Sequence, residues 1–322
     1  MESLHGELLM SQGIFRIFCL LVILISAGCF TDKDQEYRND SVTPREIGNV
    51  AIVTSTNEIE VVLSTVDVGV GRHRIGALLI SSDGFVRSPL ATVSSFFYPS
   101  TNSEPQLREV NVAVFRPWPS HSKGIYTTHL TFDKPGIWLI EWTVSDSHLN
   151  PTTASVMLDV PRKPIVPDNG VPSPKTPNKT LEDVQNITQL TTGSLHDPDL
   201  YQIKISDAIS SGLPSVLVID SPAFCVSLVC GPQVDVLKEL KDAYKGKANF
   251  IHVDLYDNPQ GIKGDLGKAQ ISEAAEAWSI IDSQWTFVID SEGVISERFE
   301  SFATYEELER SLTKVIELAE YN

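Results

Sequence analysis

Cysteine is scarce in this chain. There are four among 322 residues, Cys19, Cys29, Cys225 and Cys230, and none between Asn49 and Val160. A dense disulfide scaffold is therefore excluded. So is a blue-copper centre within residues 49–160, because such a site needs a cysteine beside its two imidazoles. His73, His121 and His129 then read as scattered histidines on separate segments. Basic residues are also few, 25 against 42 acidic ones, for a net charge of −17. That balance argues against nucleic-acid binding, which needs a basic footprint to displace phosphate counterions. Long apolar runs are missing too: the stretch Ile17–Ile25 falls short of the roughly 20 residues that span a bilayer as a helix.

What that stretch does offer is an export signal. Arg16 precedes the apolar run, and the small residues Ser26-Ala27-Gly28 follow it and lead to Cys29. The leading MESLHGELL is acidic, which suits a signal poorly, so Met10 is the expected start. The Ser26-Ala27-Gly28-Cys29 quartet resembles a bacterial lipobox, with Ser26 where leucine is more usual. The resemblance implies a signal peptide over residues 1–28, lipidation of Cys29, and anchoring on the extracytoplasmic face of the cell membrane. Residues 29–47, polar after the cysteine, read as the lipid-anchored tether. Only Cys225 and Cys230 then remain in the mature protein, in a compartment where disulfides persist.

Between residues 48 and 160 short β-type runs recur: NVAIVT, IEVVLSTV, HRIGALLI, EVNVAVF, IYTTHLTF, GIWLIEWTV and TASVMLDV. Their Val, Ile, Thr and aromatic content, with Gly, Pro, Ser and Asp between them, predicts an all-β immunoglobulin-like sandwich. Asp133-Lys134-Pro135-Gly136 reads as a tight turn between two paired strands. Six prolines in residues 161–177 predict a semi-rigid extended linker, which is placed at 161–198. The sandwich is expected to serve as a spacer or partner-binding module.

From residue 199 to 322 strand and helix patterns alternate. LPSVLVID is a buried-strand run, and VDVLKELKDAYKG carries Val236, Leu237, Leu240 and Tyr244 at helical spacing. NFIHVDLYD is a second strand and ISEAAEAW a helix. WTFVIDSEGVISERF is a hairpin turning at Ser291-Glu292-Gly293, and Thr304 with Glu307 forms a capping box before the last helix. This order, with VLVID followed by Ser221-Pro222-Ala223-Phe224 and Cys225, resembles the thioredoxin superfamily over about 120 residues. VLKELKDAYKGKANFIHVDLYDNP matches its helix–strand block. The chain is also similar to bacterial extracytoplasmic proteins that join a β-sandwich to such a domain with a PAFC…CGP signature. The implied fold is multi-domain: the all-β sandwich followed by an α/β domain with a central mixed sheet flanked by helices.

What the resemblance implies is a thiol–disulfide oxidoreductase in which Cys225 attacks and Cys230 resolves, with a protein thiol or disulfide as partner and no cofactor. Gly231-Pro232 opens the helix, and a helix N-terminus favours the thiolate. The sequence departs from the family in three ways. The pair is spaced CxxxxC rather than CxxC. Gln284-Trp285-Thr286 lacks the proline that precedes the strand facing the cysteines. Ile219 stands where the buried acid falls, with Asp220 one place along and hence on the opposite face of the strand. His252 is a candidate relay, or simply a hydrogen-bonded strand histidine. Three other readings compete. One is a binding module with a structural disulfide. Another is a Sco-like copper chaperone using Cys225, Cys230 and His252. A peroxiredoxin is the third and weakest, because Pro222 and Gln284 replace its hydroxyl and arginine.

Overall fold

The computed structural model describes residues 51–54, 59–100, 102–118, 123–145, 151–194, 197–224, 232–282 and 284–321. The expected signal segment and tether, with Cys29, and likewise His121, Cys225 and Cys230 lie outside these. Residues 46–322 form one compact unit.

Among the described residues the first half holds nine strands: β1 (Ala51–Thr54), β2 (Ile59–Leu63), β3 (Gly71–Ser81), β4 (Gly84–Phe85), β5 (Leu90–Phe97), β6 (Gln106–Pro117), β7 (Gly124–Phe132), β8 (Gly136–Val144) and β9 (Thr152–Val160). Alternation of buried and exposed residues along β5, β8 and β9 puts every second side chain inward. Hydrogen bonds link the strands without a break in the order β1-β9-β8-β5-β6-β7-β3-β2, with β4 beside β3. All pairings are antiparallel. The sheet is therefore continuous, and it encloses one apolar core that includes Trp138, Trp142, Tyr126 and Phe132.

Seven of these strands fall where the sequence predicts them. β5 was not expected, since Ser94-Ser95 interrupts its apolar pattern, yet it lies between β6 and β8 near the middle of the sheet. The turn at residues 133–136 also differs from expectation. It joins β7 to β8, which are not paired with each other: β7 sits between β6 and β3, and β8 between β5 and β9. The short connection crosses from one arm of the sheet to the other, and the Trp138 indole secures it by donating to the Lys134 carbonyl at 3.1 Å.

The second half is built on β10 (Ser215–Asp220), β11 (Asn249–Asp254), β12 (Trp285–Ile289) and β13 (Ile295–Glu300), in the order β11-β10-β12-β13. β10 and β11 are parallel, and the other pairings are antiparallel. Among the helices are α1 (Ile205–Ser210), α2 (Gln233–Ala243), α3 (Pro259–Ile262), α4 (Glu273–Ala277) and α5 (Tyr305–Tyr321). One sheet face, with Val216, Val218, Phe250 and Val288, packs under α2 and α5. The other, with Leu217, Ile219, Ile251 and Phe287, packs under α1 and α4. The predicted hairpin turns where expected, with Gly293 at φ +82°. The capping box is formed: the Thr304 N–H donates to Glu307 and the Glu307 N–H to the Thr304 hydroxyl.

The proline-rich segment is not a free arm. Residues 170–173 run alongside the β12–β13 hairpin: the Gly170 N–H donates to the Ile295 carbonyl at 2.7 Å and the Ser173 N–H to the Gly293 carbonyl at 2.9 Å. The Ile165 and Val166 N–H groups donate to the Asp67 carboxylate at 2.8 and 2.9 Å. Arg298 on β13 donates to the same carboxylate and to the Val166 carbonyl. The two halves are fused across this junction. Arg74 of β3 is held by Glu307 and by the Phe302 carbonyl, while Leu78, Trp118 and Ile125 join the apolar cluster under α2 and α5.

Candidate functional site

The C-terminal ends of β10 and β11 are where parallel strands of an α/β sheet usually present their chemistry. Alternation along β10 puts Asp220 on the same face as Val216 and Val218. On β11 it groups His252 and Asp254 with Phe250, on the face that α2 covers. Apolar at the start of the strands, this face becomes polar at their ends. Asp220 does lie opposite Ile219, as expected, but it is not stranded: it meets His252 inside the protein.

Asp220, His252 and Asp254 are all at least 97% buried. The imidazole is held on both sides, with Nε2 3.0 Å from Asp220 Oδ1 and Nδ1 2.7 Å from the Tyr201 hydroxyl. In the tautomer that donates from Nε2 to Asp220, Nδ1 accepts from the Tyr201 hydroxyl. Burial pushes the Tyr201 phenol well above its ordinary value, which keeps it a donor. Gln284, immediately before β12, donates through Nε2 to the other Asp220 oxygen at 3.3 Å. The side chain that stands just before β12 is thus tied to the buried acid.

Asp254 forms a second arm. Its carboxylate accepts from the Thr192 N–H at 2.6 Å, the Thr192 hydroxyl at 2.8 Å and the Tyr256 N–H at 3.0 Å. Burial raises its pKa, opposed by nearby His252 and by these donors. The Thr192 hydroxyl also lies 3.0 Å from that of Ser221 and accepts from the Ala223 N–H at 3.3 Å. A Cβ on Gly193 would lie 3.2 Å from Pro222, so a glycine lets this strap approach closely. The residues leading into Cys225 are thereby fastened to a buried carboxylate. Phe224 packs edge-on to Tyr256 at 6.1 Å. A cleft of about 570 Å³ opens over Tyr201, His252 and Asp254, walled by residues 177–190 and 270–276.

No family model matches the chain, and no curated protein does. Among solved structures it is similar to a thiol:disulfide interchange protein, a thioredoxin family protein from Chlorobium tepidum TLS. The identity is 11% and the TM-score 0.30, over 47% of this chain and 97% of that one.

Of the expected site residues, His252 is thus placed in a buried hydrogen-bonded chain, whereas Cys29, Cys225 and Cys230 lie outside the described residues. Among the described residues no group of three or more His, Cys, Asp or Glu side chains could hold a metal ion. Both nitrogens of His252 are already engaged, so it could ligate copper only by giving up Tyr201 or Asp220. In the β half, His73 on β3 is buried and its Nδ1 lies 3.8 Å from Asp168, while His129 on β7 lies 3.6 Å from Glu297. Tyr201, Thr192 and Asp254 did not stand out in the sequence. The period-two spacing of Asp254 from His252 was the one available signal.

Proposed function

We propose that this protein is a membrane-anchored, extracytoplasmic thiol–disulfide oxidoreductase-like protein, lipidated at Cys29, that works through Cys225 and Cys230. In this reading the α/β half is thioredoxin-like. The β half is an immunoglobulin-like sandwich.

The observation that carries the proposal is the buried Tyr201–His252–Asp220 chain at the ends of β10 and β11. Only four residues separate Asp220 from Cys225, and α2 begins three residues after Cys230. The Cys225 thiolate attacks one sulfur of a partner disulfide, forming a mixed disulfide and releasing the other partner sulfur as thiolate. Cys230, deprotonated, then attacks the Cys225 sulfur. The second partner thiolate leaves, the partner has gained two electrons, and the chain holds a Cys225–Cys230 disulfide. The Asp220 carboxylate, oriented by His252 and Gln284, is the base for the proton that Cys230 must lose.

A binding module with a structural disulfide is the second reading, favoured by Gln284, which ties the start of β12 inward onto Asp220. Insulin reduction together with the pKa of the Cys225 thiol in the reduced protein separates the two. Exchange requires turnover that Cys225→Ser abolishes and a thiol pKa below about 8.5, that of free cysteine. His252→Ala should slow exchange while leaving the Cys225 alkylation rate largely intact. An inert thiol with a pKa at or above that value would sink the oxidoreductase function.

A further inference from the structure

A groove of about 530 Å³ lies at the junction, between the outer face of β6 and β7 on one side and β13 and α5 on the other. Acidic residues outnumber basic ones 42 to 25 in the chain, so an average surface concavity would be negative. This one is not. Arg72, Arg116, Arg310 and Lys314 line it against two carboxylates, Glu307, which Arg74 and Arg116 engage, and Glu297, which lies 3.6 Å from His129. Arg72, Arg310 and Lys314 are exposed, and none has a carboxylate partner among the described residues.

The groove also has an apolar floor open to solvent. Val112 is 58% and Val114 41% exposed, and Val110 and Leu90 extend the strip. Alternation places the three valines on one face of β6, and Leu90 lies directly opposite Val114. Arginine and lysine beside exposed valine call for a ligand that is both anionic and apolar.

We propose that this groove docks an extended acidic segment of a partner protein, whose carboxylates meet Arg72, Arg310 and Lys314 and whose apolar side chains cover Val112 and Val114. A free inorganic anion would leave the valines wet. A bilayer surface is a poorer match, because the site is concave and its exposed apolar residues include none of the aromatic anchors that favour the interface. The negative charge elsewhere would repel an acidic segment, so this groove is where one can settle. None of its lining residues belongs to the cysteine segment or to the Tyr201–His252–Asp220 chain.

The test is fluorescence anisotropy with the full chain and a labelled peptide alternating glutamate and leucine, its lysine counterpart as control, and anionic phospholipid vesicles as a separate arm. Saturable binding of the glutamate peptide is expected, weakening with added salt. It should fall about tenfold in Arg310→Glu/Lys314→Glu, whose exposed sites leave the fold intact. Val112→Ser/Val114→Ser should weaken it with the salt dependence retained. The proposal is overturned by absence of saturable binding, by equal binding of the lysine peptide, or by affinity that the charge reversals leave unchanged. Vesicle binding lost in the charge reversals, with no peptide binding, would overturn it in favour of a membrane-facing site.

Discussion

Glu300 and Glu307 stand seven positions apart at the junction between the halves, both buried, and are driven in opposite directions. Burial pushes the Glu300 carboxyl up to about 7, even though it accepts the Val66 and Asp67 N–H groups at 2.8 and 2.9 Å. Burial acts the same way on Glu307. There, however, the Arg74 guanidinium forms a two-pronged contact at 2.9 and 3.1 Å and Arg116 lies at 3.2 Å, holding the carboxyl at about 2. The ordinary value for both is 4.5. A carboxyl raised on folding contributes stability at low pH and loses it as pH climbs from 4.5 through about 7. One that is lowered contributes above 4.5 and loses as pH falls toward 2. Glu300→Gln should therefore remove a decline of about 3 kcal/mol between mildly acidic and mildly alkaline pH. Glu307→Gln should flatten the acid limb and lower stability at neutral pH. Urea unfolding midpoints across that range check both; an alkaline decline that persists in Glu300→Gln removes Glu300 as its source.

At the level of elements, what the sequence conveyed depended on whether a segment's role was local. The α/β order, the Ser291–Gly293 turn and the Thr304–Glu307 capping box were all legible, because each follows from periodicity or from contacts a few residues apart. β5 was not, because Ser94 and Ser95 have the composition of a loop and only their neighbours β6 and β8 make them a strand. At the site, His252 and the cysteines were legible as residue types. The Tyr201–His252 contact spans 51 positions and leaves no local trace. The proline-rich segment shows the same limit: its composition describes a chain without internal hydrogen bonds, but Asp67 and Gly293 supply partners from outside. That fastening predicts slow tryptic cleavage after Arg162. Asp67→Ala, which frees the Ile165 and Val166 N–H groups, should speed the cut several-fold under native conditions. If the native chain is cut there as fast as an unfolded control, the segment is a free spacer after all.

For the molecule as a whole, the junction decides whether the halves behave as one body or two. Trp118 packs edge-on to Phe302 at 5.7 Å, and one apolar cluster runs from Leu78 and Ile125 of the β half to Leu308 and Leu312 of α5. Into this apolar contact Arg74 inserts a charge that is 94% buried, matched by Glu307. Such a pair contributes little against a hydrophobic replacement, but removing Glu307 strands Arg74, and removing Arg74 leaves Glu307 with Arg116 alone, at a cost of up to about 3–5 kcal/mol. Both halves share that pair, so its loss must reach both cores if they unfold together. Tryptophans report on each core separately: Trp138 and Trp142 lie in the first, Trp278 and Trp285 in the second. With Trp118→Phe in both, the Trp278→Phe/Trp285→Phe and Trp138→Phe/Trp142→Phe backgrounds keep the tryptophans of one core each, and their fluorescence should give coincident denaturation curves. Arg74→Met should lower both midpoints together, and Arg74→Met/Glu307→Gln should recover part of the loss in both. Two separated transitions, or an Arg74→Met shift confined to one set of tryptophans, would show two independently folding domains that merely touch.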